Sequence, residues 1–104
     1  MINSIVGENT ELTGNFKIDG VLRIDGKFQG KVESKNQVLI GKKGIAITEL
    51  EANEIIIGGY VEGKLKINGK FKILETGGFK GEVEAEKIEI EPGGFFSGKF
   101  KTIK

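Results

Sequence analysis

Two short stretches have the spacing to hold a phosphate. Gly58-Gly59-Tyr60-Val61-Glu62-Gly63-Lys64 and Gly93-Gly94-Phe95-Phe96-Ser97-Gly98-Lys99 both satisfy G-x-x-x-x-G-K, in which backbone N–H groups cradle phosphate oxygens and the lysine reaches the terminal ones. The residue that follows is Leu65 or Phe100, where magnesium requires a serine or threonine hydroxyl, and neither stretch opens a helical pattern. The rest of the chemical inventory is thin. The 104 residues include no histidine and no cysteine, which removes the usual zinc ligands and the commonest general base. Asp19 and Asp25 each precede a glycine and read as turn residues. Ser4, Ser34 and Ser97 lack a partner base that could activate them. The expectation is a protein that is not an enzyme, with no catalytic residue, no cofactor and no metal ligand.

The two loop-like stretches lie 35 residues apart, and they recur because the whole chain recurs. A frame anchored on Phe79-Lys80-Gly81-Glu82-Val83-Glu84-Ala85 starts again at Leu12, Phe28, Ala46, Val61, Phe79 and Phe96, in steps of 16, 18, 15, 18 and 17 residues. Two positions on, the column reads Gly14, Gly30, Thr48, Gly63, Gly81 and Gly98. Four positions on it reads Phe16, Val32, Leu50, Leu65, Val83 and Phe100, and six on Ile18, Ser34, Ala52, Ile67, Ala85 and Thr102. A second short strand follows, with Leu22, Val38, Ile55, Phe71 and Ile88, then Ile24, Ile40, Ile57, Ile73 and Ile90. Alternation of period two sends these columns to one interior. Turn residues separate the runs at Asp19-Gly20, Asp25-Gly26, Asn68-Gly69 and Pro92-Gly93-Gly94, a pattern of stacked repeats that no single repeat could stabilise alone. The fold class expected is all-β: a single-stranded parallel β-helix of about six coils filling one domain, 1–104, with 1–4 as a short tail. At one strand spacing per coil the rod is roughly 29 Å long.

The outward columns test this register independently, because it was set on apolar positions. Asn15, Lys31, Glu49, Lys64, Glu82 and Lys99 alternate in sign, and beside them stand Lys17, Glu33, Glu51, Lys66, Glu84 and Lys101. Neighbouring strands thus mostly oppose unlike charges. Net charge is only +1, and lysines interleaved with glutamates leave no basic stripe for nucleic acid. Five threonines that do not align argue against an ice-binding face. Apolar runs reach only three residues, as in Ile55-Ile56-Ile57, and the opening "MINSIV" has no basic segment, so neither a spanning helix nor an ordinary signal peptide is expected. The expected location is cytoplasmic. In the outward column of the short strand, Leu39 and Ile56 adjoin, with Ile47 placed near them; these three are candidates for a lateral or membrane contact.

The frame runs from about Ser4-Ile5-Val6 to Thr102, so the expectation is two coil ends without a polar cap, each offering unpaired strand edges and apolar side chains. Phe95, Phe96 and Phe100 are the candidates at one end, and Ile2, Ile5, Val6 and Leu12 at the other. Residues 5 to 103, notably Ile40-Gly41, "VEGKLKINGKFKI" and "GGFKGEVEAEKIEIEPGGFFSGKF", resemble the bactofilins, polymer-forming bacterial cytoskeletal proteins. That resemblance implies a right-handed helix with a triangular core and non-polar filaments assembled without nucleotide. It also implies a terminal-coil phenylalanine important for polymerisation, matched here by Phe96 and Phe100, and scaffolding of cell-shape or cell-wall factors, with the inner membrane surface and cell-wall enzymes as partners beside the homopolymer itself. The Pro-rich tails usual in the family are not in this sequence. The alternative reading is a non-polymerising solenoid scaffold that binds a partner protein through a side face around Leu39 and Ile56.

Overall fold

The computed structural model describes residues 2–103, and every regular element in them is a β-strand. Six strands of eight residues, β2 (Glu11–Ile18), β4 (Lys27–Ser34), β6 (Ile45–Ala52), β8 (Tyr60–Ile67), β10 (Gly78–Ala85) and β12 (Phe95–Thr102), stack in parallel as one sheet in the order β12-β10-β8-β6-β4-β2. The short strands β1 (Ile2–Val6), β3 (Val21–Ile24), β5 (Gln37–Ile40), β7 (Glu54–Ile57), β9 (Lys70–Ile73) and β11 (Lys87–Ile90) stack in a second parallel sheet in chain order. Residues 2–4, expected as a tail, belong to β1, which pairs with β3 through a register irregularity between Ile2 and Ser4. The result is a six-rung β-solenoid with principal extents of 30, 27 and 23 Å.

The columns read from the sequence are the columns of the structure. Leu12, Phe28, Ala46, Val61, Phe79 and Phe96 are successive in-register partners, as are Leu22, Val38, Ile55, Phe71 and Ile88. Their middle members are buried, and together they form one core from Val6 to Ala85. Among the described residues two polar side chains are buried with them, and both are satisfied. The Ser34 hydroxyl donates to the Gly20 carbonyl and accepts from the Asn36 N–H, while the Thr48 hydroxyl donates to the Gly30 carbonyl at 2.8 Å. Such pairing avoids the 1–3 kcal/mol or so that an orphaned buried group costs.

Unequal coil lengths leave the strands untouched because the corners absorb them. The sixteen-residue step has two-residue corners at both vertices, 19–20 and 25–26; the fifteen-residue step has Asn53 alone and then Gly58-Gly59; the eighteen-residue steps pair a two-residue corner with a four-residue one, such as 41–44. A short corner nests under a long one, and the fit needs glycine: a Cβ on Gly59 would lie 2.2 Å from the Gly44 carbonyl oxygen and 2.4 Å from that of Gly41.

A third vertex lies inside the long strand. Gly14, Gly30, Gly63, Gly81 and Gly98 all have φ between 133° and 153°, a region that side chains exclude, and each divides its strand into two short straight runs. With the two inter-strand corners this makes the coil three-sided. Thr48, the exception in the column, is not among the positive-φ residues and uses its hydroxyl to hold the rung below. At Gly81 a Cβ would fall 2.0 Å from the Gly63 carbonyl oxygen, so the clash is with backbone that cannot move aside. Gly81→Ala is expected to destabilise the fold by about 2–4 kcal/mol in denaturant titrations. Gly7→Ala, whose Cβ would meet nothing nearer than the Thr10 hydroxyl at 3.8 Å, is expected to stay within about 0.5 kcal/mol of the parent.

Candidate polymerisation surfaces

At the C-terminal end every inward column finishes in an exposed or half-buried member, and at the opposite end those of the long strands do. At the C-terminal end β11 and β12 are the edge strands of the two sheets. Ile90 is 41% exposed whereas Ile73, its partner one rung back, is fully buried. Ile88, Phe96 and Phe100 are half-buried and pack on the core from outside. The Phe96 ring stacks on Phe79 at 5.6 Å, itself edge-on to Phe71 at 5.3 Å, so the aromatic pile has one face open to a further layer.

At the opposite end the edges are β1 and β2. Leu12 is exposed and Phe16 and Ile18 are half-buried, and with Ile5, Val6 and Leu22 they line an apolar depression of about 190 Å³. Val6 itself is buried, one rung from Ile24. Ile5 pairs with Arg23 in the outward column and is 64% exposed, which sets it at the side of the rod as well as at the rim of this end. The side chain of Ile2, a candidate at the same end, lies outside the described residues.

Of the candidates at the C-terminal end, Phe96 and Phe100 close the core, but Phe95 does not. It lies one position before the inward column, so it points sideways, 55% exposed, in an outward column that runs Lys27, Ile45, Tyr60, Gly78, Phe95. Leu39 and Ile56 are in-register neighbours, as expected, and half-buried. Ile47 belongs to the other sheet, between Gln29 and Glu62, and stands beside Ile45, not beside Leu39. Sequence reasoning passed over Ile88 and Ile90 as end residues, although their place as last members of their columns was a visible signal; it also passed over Ile45 and Tyr60, whose column could have been read one position before the repeat start.

The second half of the long strands forms the charged face. Lys17–Glu33, Lys31–Glu49 and Lys64–Glu82 bridge adjacent rungs at 3.4, 3.5 and 3.9 Å; Glu33 and Glu51 are the like-charged exception. Exposed pairs of this kind contribute only about 0–1 kcal/mol each but keep the face hydrated. The two phosphate-loop-like stretches are each a corner followed by strand: Gly63 and Lys64 lie within β8, Gly98 and Lys99 within β12. The cradle that such a loop needs is therefore drawn out as strand ladder, bent only at the glycine.

The last short strand carries its own clamp. Glu89 bridges Lys70 at 3.1 Å and Lys72 at 3.2 Å, and Lys72 also reaches Glu91 at 3.9 Å. Hydrogen bonds from the Lys70 and Lys72 ammonium groups, and then their charge, hold the Glu89 carboxyl below its ordinary value. A depressed carboxylate adds stability above its unfolded-state pKa, and that contribution is lost as pH falls through the folded value. Intrinsic-rate-corrected amide protection in β11 is therefore expected to drop several-fold between about pH 6 and pH 3, and Glu89→Gln to start lower and lose less over the same interval.

Comparison with known proteins agrees with this geometry. The sequence pattern of the Bactofilin family, described as polymer-forming cytoskeletal, matches residues 4–101. The chain is 26% identical over 98 residues to bactofilin BacO of Myxococcus xanthus (strain DK1622), covering 94% of this chain and 78% of BacO. It is 21% identical over 97 residues to bactofilin BacP of the same organism, covering 93% of this chain but only 40% of that protein's length. A cryo-EM reconstruction of Thermus thermophilus bactofilin double helical filaments superposes with a TM-score of 0.90 at 29% identity, over 97% of this chain and 100% of that one. A six-rung parallel solenoid with apolar side chains exposed at both edges, matched over nearly its full length, belongs to the bactofilin family of cytoskeletal proteins.

Proposed function

We propose that this chain assembles end to end, without nucleotide, into non-polar filaments that pair into double strands and serve as a scaffold for cell-shape or cell-wall factors. The observation that carries the reading is the terminal rung: Ile90 is 41% exposed where Ile73 is fully buried, and β11 and β12 each present a strand edge. Burying that layer against another subunit pairs the edges and removes apolar surface from water together. The double helical pairing follows the similar Thermus thermophilus filaments.

Register supports like ends meeting. Set antiparallel about Gly98, two β12 strands place Phe96 of each copy opposite Phe100 of the other, and two β11 strands centred on Glu89 place Ile88 opposite Ile90 and Lys87 opposite Glu91. In a three-sided coil the glycine vertex faces the short strand across the core, so one two-fold axis satisfies both strands, as an isologous contact requires. The two Glu89 carboxylates that would meet there are each already held by Lys70 and Lys72.

Electron microscopy and sedimentation test the end contact. The parent is expected to form filaments in nucleotide-free buffer containing chelator. Ile90→Arg and Phe100→Arg are expected to raise the concentration at which filaments appear by about tenfold or more, the equivalent of at least ~1.4 kcal/mol per contact. Ile90→Arg, at an exposed position, should keep the parent's melting temperature within a few degrees. Filaments that persist unchanged in Ile90→Arg would remove the terminal layer from the junction.

A further inference from the structure

The three sides of the rod are unlike, and one of them carries three of the six exposed large apolar side chains among the described residues. The first half of the long strands presents Ile45 and Ile47, each 38% exposed, then Tyr60 and the 55% exposed Phe95. Ile45, Tyr60, Gly78 and Phe95 are in-register partners up the rod, and around them lies a shallow depression of about 590 Å³ that Lys42 and Thr76 also line. Gly78 leaves a gap in this ridge: a Cβ there would touch Phe95 and Tyr60 at an ordinary 3.6 Å, so the absent side chain is not demanded by packing within the chain.

We infer that this ridge is the lateral seam along which two filaments of the same chain pair; the inference rests on the two-stranded reading above and names the surface that makes it. The occupant is a second copy because the charges flanking the ridge are of both signs. Among the described residues, Lys42 and Lys80 on one hand, and Glu62 and Glu75 on the other, are in no ion pair, and the Tyr60 hydroxyl donates to Glu62 at 2.8 Å. An anionic lipid surface or nucleic acid would meet two glutamates there, whereas a copy of the same face can set lysine against glutamate. The outward residues of the opposite long-strand face are all charged or amide, three pairs of them bridge adjacent rungs, and no large apolar side chain among the described residues is exposed there.

Size explains why the seam belongs to filaments and not to single rods. Four partly exposed side chains offer a few hundred Å², well short of the roughly 1,200 Å² in total that a stable pair buries. Repeated in every subunit along a filament, the same contact adds up through effective concentration. Pairing is therefore conditional on end-to-end growth.

Negative-stain microscopy of the parent and of the Ile45→Glu, Phe95→Glu double variant tests the seam. Double filaments in the parent and single ones in the variant, at closely similar onset concentration, are the expected result. Because the chain has no cysteine, single Ile47→Cys and Lys64→Cys filaments treated with a short bismaleimide give a second readout that does not depend on the glutamate variant folding: cross-linked dimers are expected from the former at least about tenfold above the latter. Double filaments that survive both glutamates, or equal cross-linking from the two positions, overturn the seam. A parent that forms only single filaments overturns the seam and leaves the end-to-end reading standing; a parent that forms none overturns both.

Discussion

A parallel rung pairs its backbone and its side chains only with the rungs above and below. Everything else in this protein depends on that constraint. Inside the stack it is satisfied twice over, since each N–H and C=O row meets the next at ladder distance and most inward apolar residues land on one of their own kind. Phe79 over Val61 and Ile57 over Ile40 stabilise in the same step by which they set register. At the first and last rungs, the same rule leaves half of the interaction unmade.

Keeping six rungs in register requires that coils of unequal length turn through the same three vertices. Glycine does this at the mid-strand vertex, where the backbone of one rung runs so close to the next that a Cβ would fall inside the neighbouring carbonyl. The two other vertices accept one to four residues, which places variation where it costs least, on the outside of the turn. Thr48 shows the alternative at the mid-strand vertex: an ordinary backbone conformation held by a hydroxyl to the carbonyl of the rung below.

The sides of the rod divide the remaining work. The face of alternating lysine and glutamate is nearly neutral in sum and strongly hydrated, which suits a surface that must not stick. The clamp of Lys70 and Lys72 on Glu89 ties down the last short strand, where no further rung holds it. Apolar side chains are concentrated on the first long-strand face, and their contact area becomes large only when subunits are joined lengthwise. In the proposed assembly, growth along the axis and pairing across it are coupled by geometry.

Much of this was legible in the residues themselves. Period-two alternation, the glycine column and the isoleucine column from Ile24 to Ile90 determined the strands, the register and the charge ladder, because a solenoid's contacts lie at a nearly constant sequence separation and one column predicts the next. The direction of each outward column in space was not legible. Phe95 and Phe96 are neighbours in sequence, yet one points to the side and the other closes the core; Ile5 and Val6 part in the same way. Ile47 was grouped with Leu39 and Ile56 on hydrophobicity, but it lies on the other sheet beside Ile45. Which columns share a face is decided by where the chain bends, and the bends come from corner lengths and the mid-strand glycines acting together. By itself the sequence determined which residues stack; only the closed coil decided which stacks stand side by side, because that adjacency runs around the rod and not along it.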